Sequence, residues 1–208
     1  HDEMYEDGIY VGYRYFDSFG VKPLYCFGYG KSYTDFEIKA GKISVEGNEI
    51  QIPVTVKNTG KIYAGKEVVQ VYIAKPQGKL GKPAKELAAF EKTRELQPGE
   101  SQLMILTWEI NDMASYDDLG KVKKSAYVLE AGSYDIYVGT SVRDVTKADY
   151  SYILNRDVIT EQLSAKLVPT SLPKRMLADG SYEALPQSEP VDTDYSAIGN
   201  IDPSLTEG

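Results

Sequence analysis

Carboxylates are the side chains of this sequence best able to do acid–base chemistry. The chain has 31 Asp and Glu residues among 208, and a pair of carboxylates can act as general acid and general base when its geometry is controlled. One adjacent pair, Asp117 and Asp118, lies in the segment "SYDDLG". Because acidic side chains are mostly exposed, we predict that this pair lies in a solvated turn and that neither acid is buried with a shifted pKa.

Other kinds of reactive centre are limited by residue counts. The sequence has a single histidine, His1, and a single cysteine, Cys26, which excludes a zinc site made of His and Cys and an internal disulfide. A Ser–His or Cys–His nucleophile pair is also excluded unless the terminal residue takes part. The oxygen-rich segments "DFEIKAGK" and "YDDLGK" do not have the spacing of an EF-hand loop, and "FGYGKS" lacks the spacing of a phosphate loop. We therefore predict no catalytic, metal-binding or cofactor-binding residue in this chain.

Charge and hydropathy restrict the partners of the chain. The net charge is −8, and the acidic residues are scattered without a basic stripe, which argues against a nucleic-acid partner. No apolar run has the length of a membrane span. The N-terminal "HDEMYEDG" is too polar for a secretory signal. A signal peptide elsewhere in a longer protein would be missing from this sequence, so the cellular compartment stays open.

Residues 36–158 contain a series of short segments with strand patterns, separated by Pro and Gly turns. They begin with "FEIKAGKISVEG", taken as one strand, and continue with "IQIPVTVKNTG" and "EVVQVYIAKP". In the second segment apolar and polar side chains alternate, and Pro53 indicates an edge strand or a bulge. Its inward set is Ile50, Ile52, Val54 and Val56.

The later segments complete this series. "KELAAFEKTREL" suits a helix or a strand by propensity and is taken as a strand from its context. "SQLMILTWEIN" is an uninterrupted apolar run, which predicts a buried central strand with Trp108 in the core. "SAYVLEAG" and "GSYDIYVGTS" are predicted to pair as a hairpin around "EAG", and "DYSYILNRDVI" adds one more strand.

About seven strands at this spacing predict an all-β fold, an immunoglobulin/fibronectin-III-like antiparallel β-sandwich with extended N-terminal and C-terminal arms. Residues 1–35 hold seven of the 17 tyrosines, and within them "GIYVGYRYF" is predicted as one strand with Ile9, Val11, Tyr13 and Tyr15 on one face. Residues 159–208 are rich in proline and are predicted to be a linker or arm.

The N-terminal segment resembles the end of the α/β-sandwich domain of the family 3 glycoside hydrolases, the β-glucosidase family. There the chain reads E-G-[IL]-x-V-G-Y-R-[YF]-[YF]-D, a short turn, and P-[LF]-x-P-F-G-[YF]-G-L-S-Y-T-x-F. The sequence departs from this pattern at Cys26 and Lys31. The matching residues are Glu6 or Asp7, Gly8, Val11, Gly12, Tyr13, Arg14, Tyr15, Phe16, Asp17, Pro23, Leu24, Phe27, Gly28, Tyr29, Gly30, Ser32, Tyr33, Thr34 and Phe36.

The resemblance continues through residues 67–75, 82–101, 116–117 and 130–141, and it covers about residues 6–144. It implies a terminal strand and connector of the α/β-sandwich domain over 1–35, a fibronectin-III-like domain over 36–158, and a linker over 159–208. In this family both catalytic carboxylates lie in other domains, so the resemblance implies a non-catalytic structural portion of a β-glucosidase that acts on terminal β-D-glucosides. Some members have the catalytic barrel after the fibronectin-like domain, and the C-terminal arm is similar to the start of such a connection.

Several alternatives remain open at this stage. The chain is a carbohydrate-binding module in one of them, and in another its parent is a β-xylosidase. An adhesion or protein-interaction domain of the fibronectin type explains the sandwich but not "GYRYFD" and "FGYGKSYT". The expected partners are the missing catalytic domains, and a homo-oligomer through exposed aromatic side chains also stays open. We expect the aromatic rings of residues 6–34 to be buried against the sandwich, the arm or another copy.

Overall fold

The computed structural model describes residues 8–164 and 172–186. Its elements include one short α-helix, α1 (Tyr13–Ser18), and a 3₁₀ turn (Asn111–Met113). The strands of the described residues are β1 (Phe36–Ala40), β2 (Ser44–Glu46), β3 (Glu49–Asn58), β4 (Val68–Ala74), β5 (Glu86–Lys92), β6 (Ser101–Glu109), β7 (Ser115–Asp117), β8 (Ala126–Leu129), β9 (Gly132–Gly139), β10 (Val145–Leu154), β11 (Val158–Gln162), β12 (Lys174–Met176) and β13 (Tyr182–Ala184).

Two antiparallel sheets form the body of the molecule. In the first, β3 pairs with β1 and β2 along one side and with β6 along the other; in the second, the order is β10-β9-β4-β5. A small sheet, β11-β8-β7, and the hairpin β12–β13 lie outside these two. The predicted all-β sandwich is confirmed. Residue 158, where the predicted fibronectin-III-like domain ends, is the first residue of β11, and this strand pairs with β8 of that domain.

The core lies between the two main sheets. Alternation in β3 places its four predicted side chains inside, as expected, and all four are fully buried. They pack with the inward side chains of β4, β6 and β9 in one apolar cluster that includes Trp108. Burying this many aliphatic side chains, each worth about 1.5–3 kcal/mol, is the main force that holds the sheets together.

Pro53 shows how β3 tolerates a proline in a paired position. The strand is central rather than an edge, so the predicted edge position is wrong. The carbonyl of Pro53 accepts a hydrogen bond from the Gly41 amide (2.7 Å), which places its ring nitrogen on the side of β1 and β2. That side is interrupted between Ala40 and Ser44, so the missing N–H removes no ladder bond. The same interruption divides the single strand predicted for "FEIKAGKISVEG" into β1 and β2.

The predicted hairpin around "EAG" is wrong, because β8 and β9 belong to different sheets. The two residues between them carry the chain from the small sheet into the sandwich. Glu130 turns inward there and is only 3 % exposed, where it pairs with the buried ammonium of Lys82. The ion pair fixes Glu130 in the interior at the point where the chain passes from one sheet to the other.

Two further strand predictions need correction. "GIYVGYRYF" is not a strand: Gly12 has φ +58°, and α1 begins at the next residue. Tyr10 is buried, whereas Ile9 and Val11, which were predicted to share one face of a strand, are about half exposed. The central position predicted for β6 is wrong, since it pairs only with β3. It is also not buried on both faces, because Leu103 and Ile105 point outward while Met104, Leu106 and Trp108 point inward. Apolar residues at outward positions concealed the alternation.

Two of the remaining strand predictions are confirmed. β5 shows that "KELAAFEKTREL" contains a strand, and β4 is a strand that is buried on both faces. The single strand predicted for "DYSYILNRDVI" is wrong, because this segment holds the end of β10 and the start of β11, which belong to different sheets. The C-terminal arm falls partly outside the described residues. Its described part, 172–186, carries the two three-residue strands of the β12–β13 hairpin, which agrees with the absence of long elements predicted there.

Candidate functional site

The N-terminal connector, residues 8–35, lies on the outer face of the second sheet. The ring of Tyr13 stacks on Phe27 with their centroids 4.8 Å apart and meets the edge of Tyr72 on β4 at 6.0 Å. The hydroxyl of Tyr13 accepts a hydrogen bond from the Leu87 amide on β5 (2.9 Å). These contacts explain why Tyr72, which points outward from the sandwich core, is fully buried; burial also raises the pKa of its hydroxyl.

Gly28 allows the connector to approach β4 closely. Gln70 is held there by the Tyr72 hydroxyl, which donates to Gln70 Oε1, and by its own Nε2, which donates to the Thr140 carbonyl (2.9 Å). A Cβ atom on Gly28 would lie 2.5 Å from Gln70 Nε2, and Gly28 has φ +81°. A residue without a side chain is therefore required at this position.

Polar contacts fix the connector at three further points. Arg143 Nε donates to Asp17 Oδ1 (2.9 Å), and Arg143 Nη2 donates to the Val21 carbonyl (3.0 Å). The Ser18 hydroxyl accepts a hydrogen bond from the Ala84 amide (2.8 Å). At the end of the connector, Thr34 Oγ1 donates to Asn58 Oδ1 (2.6 Å). The connector is therefore anchored along its length.

Asn58 links the end of the connector to two neighbouring loops. Its Nδ2 group donates to the carbonyls of Tyr63 (3.0 Å) and Leu96 (2.9 Å), and its Oδ1 accepts from the Gly60 amide (3.0 Å) as well as from Thr34. The side chain is fully buried, so all of these bonds are shielded from water. A buried amide with four such bonds fixes the loops that it joins.

Outside these anchors, the connector and the loop between β3 and β4 leave large apolar side chains in water. We call this set the aromatic strip; it consists of Leu24, Tyr25, Tyr29, Tyr33, Ile62 and Tyr63, which are 49–91 % exposed. Tyr25 and Tyr29 contact each other with ring centroids 4.9 Å apart, and Tyr33 contacts Tyr63 at 6.1 Å. The expectation that these rings are buried is wrong for the strip and for Phe27, which stacks on Tyr13 but is 46 % exposed. It holds for Tyr10, which is buried, and Tyr13 packs against Tyr72 of β4.

Asp117 departs most clearly from the sequence prediction. Its side chain is fully buried rather than solvated. Oδ1 accepts hydrogen bonds from the amides of Gly120 (2.7 Å) and Lys121 (3.0 Å), and Oδ2 from those of Val122 (2.7 Å) and Lys123 (2.8 Å). Burial acts to raise the pKa of Asp117, but the four N–H groups together hold it below its ordinary value. The sequence signal was an Asp followed three residues later by Gly, a pattern typical of a side-chain-capped turn.

Asp118, its neighbour, faces the C-terminal hairpin. Arg175 donates from Nη1 to Asp118 Oδ1 (2.7 Å) and from Nε to Glu183 Oε1 (2.6 Å), and Lys121 Nζ is 2.9 Å from the same Glu183 carboxylate. This network of four charged residues attaches β12 and β13 to the β7 loop. The sequence contained no signal for it, since the residues are up to 65 positions apart in the chain.

Lys82 and Glu130 form a buried ion pair that sequence patterns also missed. Their side chains are 2 % and 3 % exposed. Glu130 Oε1 accepts a hydrogen bond from the Lys79 amide (2.6 Å), and Lys82 Nζ donates to the Leu80 carbonyl (2.9 Å). Each charge thus has a partner and further hydrogen bonds, which is the condition for burying ions in a protein interior.

The remaining sequence candidates show no sign of a reaction centre. Trp108 lies in the core as predicted, with an indole N–H that has no acceptor among the described residues. "FGYGKS" lies in the connector between α1 and β1, and Cys26 is a free, partly exposed thiol; His1 is outside the described residues. No three His, Cys, Asp or Glu side chains of the described part of the chain are placed to hold a metal ion. Within those residues, no helix is both long and apolar enough to cross a membrane.

Comparison with known proteins matches this architecture. Residues 67–142 fit the family model described as "Fibronectin type III-like domain". The chain is 56 % identical over 212 aligned residues to β-glucosidase A of Butyrivibrio fibrisolvens, covering 93 % of this chain and 25 % of that protein. It is 45 % identical to a β-glucosidase of Ruminococcus albus, covering 90 % of this chain and 20 % of that one.

A solved structure has the same fold over most of the chain. The crystal structure of a β-glucosidase from Paenibacillus barengoltzii superimposes with a TM-score of 0.79 at 44 % identity, covering 89 % of this chain and 22 % of that one. The chain thus spans a fifth to a quarter of the length of these relatives. Together with the connector motifs, these matches place the chain in the β-glucosidase family of family 3 glycoside hydrolases, as a segment that holds the fibronectin type III-like domain.

Proposed function

We propose that this chain is the non-catalytic fibronectin type III-like portion of a β-glucosidase that hydrolyses terminal β-D-glucosides. The names of its relatives and the extent of the match support this activity for the whole protein. The catalytic carboxylates, one a nucleophile that forms a glycosyl-enzyme intermediate and one an acid/base, lie in the other domains. The division into 1–35, 36–158 and 159–208 is part of the same proposal.

The observation that carries the proposal is the aromatic strip. Soluble proteins rarely leave several large apolar side chains exposed on one segment unless the segment is part of an interaction site. Four of the six strip residues belong to the connector, which is anchored to β4, to β5 and to Arg143, so its backbone is positioned before any contact is made. A rigid apolar surface of this kind is suited to a permanent contact with the catalytic domains of the same polypeptide.

Within the whole protein this portion has a supporting role. Catalysis requires reacting groups to be held within a fraction of an ångström by the scaffold around them. We expect the sandwich to hold the adjoining catalytic domains in one relative position and to keep the aromatic strip out of water. Most of the substrate-binding site then lies in the other domains.

The first test is hydrolysis of an aryl β-glucoside by the purified 208-residue chain. We expect no turnover above the buffer rate, because no carboxylate pair in the chain corresponds to the catalytic pair. Measurable turnover that co-purifies with the chain through successive columns would overturn the non-catalytic assignment. Retardation of the chain in gels that contain soluble glucans would favour the carbohydrate-binding alternative instead.

The second test addresses the interface in the full-length enzyme. Tyr33→Asp places a charge at a strip position that is 91 % exposed here, and Tyr150→Asp is the control on β10, an exposed tyrosine outside the strip. We expect Tyr33→Asp to lower the midpoint of thermal inactivation by several degrees, in line with about 1–3 kcal/mol for a charge buried at an interface. Equal effects of the two substitutions would contradict the proposed interface.

A further inference from the structure

The free edge of β6 differs from every other outer edge of the two main sheets. β1, β2, β5 and β10 are also paired on one side only, and each has features that discourage pairing with another chain. β1 has Glu37 and Lys39, β2 has only three residues and ends in Glu46, β5 has charges at both ends, and β10 has Lys147, Asp149 and a register shift between residues 147 and 151. Charged side chains and bulges at an edge are the usual protection against strand addition.

β6 has none of this protection over most of its length. It spans nine residues, Ser101–Glu109, and the only charged residue in it is the last. Its outward side chains include Leu103 and Ile105, which are 63 % and 58 % exposed. A long, uncharged, apolar edge is suited to pairing with another strand.

The backbone groups of β6 are oriented to accept such a strand. Since the carbonyl of Pro53 faces β1 and β2, the residues of β3 that bond to β6 are its even-numbered ones, opposite Met104 and Leu106. In an antiparallel ladder the intervening residues then direct their N–H and C=O groups to the other side. The amides and carbonyls of Leu103, Ile105 and Thr107 therefore point to the free edge, and they have no protein partner among the described residues.

We propose that β6 is the site of self-association, in which β6 of a second copy pairs antiparallel about a two-fold axis at Ile105. This register extends the β1/β2-β3-β6 sheet through both molecules. It places Ile105 opposite Ile105 of the second copy, Leu103 opposite Thr107, and Ser101 opposite Glu109. A two-fold interface must be complementary to itself, and in this register no two like charges of β6 lie opposite each other.

The edge of β6 suits a second copy because it is complementary to itself, and not because of the charge of the molecule. Each copy has a net charge of −8, so two copies repel at long range, and the uncharged edge is where that repulsion is least concentrated. Added salt screens this repulsion. We therefore expect the dimer to become tighter as the salt concentration rises, opposite to the behaviour of an interface held by ion pairs.

Sedimentation velocity of the 208-residue chain over a range of concentrations tests the association. Ile105→Lys should weaken dimerisation at least about tenfold, because it places two ammonium groups opposite each other at the axis. Ile153→Lys is the matched control, since Ile153 is similarly exposed (65 %) and lies on the edge strand β10. Both positions are at the surface, and Ile105→Thr retains strand propensity if the lysine variant is poorly folded.

Cross-linking tests the register. In a Cys26→Ser background, Ile105→Cys puts the two thiols about 5 Å apart across the axis, whereas Leu103→Cys puts them about 14 Å apart, roughly four residues away along antiparallel strands. A short bis-maleimide should therefore join two copies of the Ile105→Cys variant and leave the Leu103→Cys variant unlinked. A chain that stays monomeric at all concentrations overturns the proposal, as does an equal effect of Ile105→Lys and Ile153→Lys; efficient cross-linking of the Leu103→Cys variant overturns the register.

Discussion

At the scale of single residues, burial decides what the polar side chains of this protein do. Asp117 and Asp118 are adjacent, yet one is enclosed by four amides and the other pairs with Arg175 at the surface. Sequence composition treats them alike because acids are mostly exposed. The difference arises from the backbone of residues 120–123, which curls around one carboxylate and provides the donors that burial requires.

Replacing Asp117 should show how much its four hydrogen bonds contribute to the stability of the fold. Asp117→Asn puts an NH₂ group where two amides point, so we expect the free energy of unfolding at neutral pH to fall by about 3 kcal/mol, the range for hydrogen bonds to charged groups. Chemical denaturation measures this. Asp118→Asn is the matched control, and it should cost less than about 1 kcal/mol because its ion pair is partly exposed.

The pH dependence of Asp117 provides a second measurement. The pKa of this carboxyl in the folded protein is lowered, so the carboxylate's contribution is fully present above the unfolded-state pKa of about 3.9 and disappears as pH falls through the lower folded-state value. The stability difference between wild type and Asp117→Asn should be constant near neutral pH and should shrink below about pH 4. A difference that persists unchanged in acid would mean that the charge is not its source.

Gly28 gives a prediction with an internal control. Gly28 and Gly20 both have positive φ, +81° and +65°, but a Cβ atom on Gly20 would have nothing within 4 Å. Gly20→Ala should therefore show only the backbone cost of about 1 kcal/mol, and Gly28→Ala should add the displacement of Gln70.

The readout is the rate of maleimide labelling at Cys26, close to Gly28 in the chain, together with urea denaturation. We expect faster labelling in Gly28→Ala, because the connector can no longer lie flat on β4, and an unchanged rate in Gly20→Ala. If both variants label at the wild-type rate, Gly28 does not control the docking of the connector.

At the scale of elements, strands were predicted correctly where the sequence shows clearly which side chains are buried. β3 has strict alternation with its polar side chains outside, and β4 has apolar residues on both faces, so period and composition were sufficient. The prediction that β6 is buried on both faces was wrong because Leu103 and Ile105 occupy outward positions, where periodicity alone predicts polar residues. The strand predicted over α1 was wrong because its aromatic and β-branched residues are typical of strands. The positive φ of Gly12 precedes a helix there, and composition does not reveal it.

The C-terminal hairpin depends on charges rather than on a core of its own. Each of its strands has only three residues, and Glu183 pairs with both Arg175 and Lys121. Glu183→Gln should release the hairpin locally, seen as faster amide hydrogen exchange at residues 174–184, with little change in the global denaturation midpoint. Glu100→Gln, which removes the surface partner of Arg94, should leave exchange in the hairpin unchanged.

Acid should produce the same release. Burial acts to raise the pKa of Glu183, but Lys121 and Arg175 together lower it. The attachment is therefore complete above the unfolded-state pKa of about 4.3 and is lost as pH falls through the lower folded-state pKa. Hairpin exchange that stays slow in acid and in Glu183→Gln would show that apolar contacts, and not these ion pairs, hold β12 and β13.

At the scale of the whole molecule, the sandwich and its family were predictable, while the surfaces that suggest its role were not. Strand spacing indicated the fold, and the connector motifs indicated the family. The aromatic strip and the free edge of β6 are visible only when the exposure of each side chain is known, because the same residue types would be buried in an ordinary core. The Lys82–Glu130 pair was hidden for the same reason, since nothing near either residue marks it as buried.

The anchoring of the connector has a mechanical consequence. Residues 8–35 touch β4 through Tyr13, the β9–β10 turn through Arg143, and β3 through Thr34 and Asn58. Tension applied at this segment is shared among separate strands of both sheets and does not first straighten a slack loop. We therefore expect a load on the connector to be carried by strands of both sheets at once.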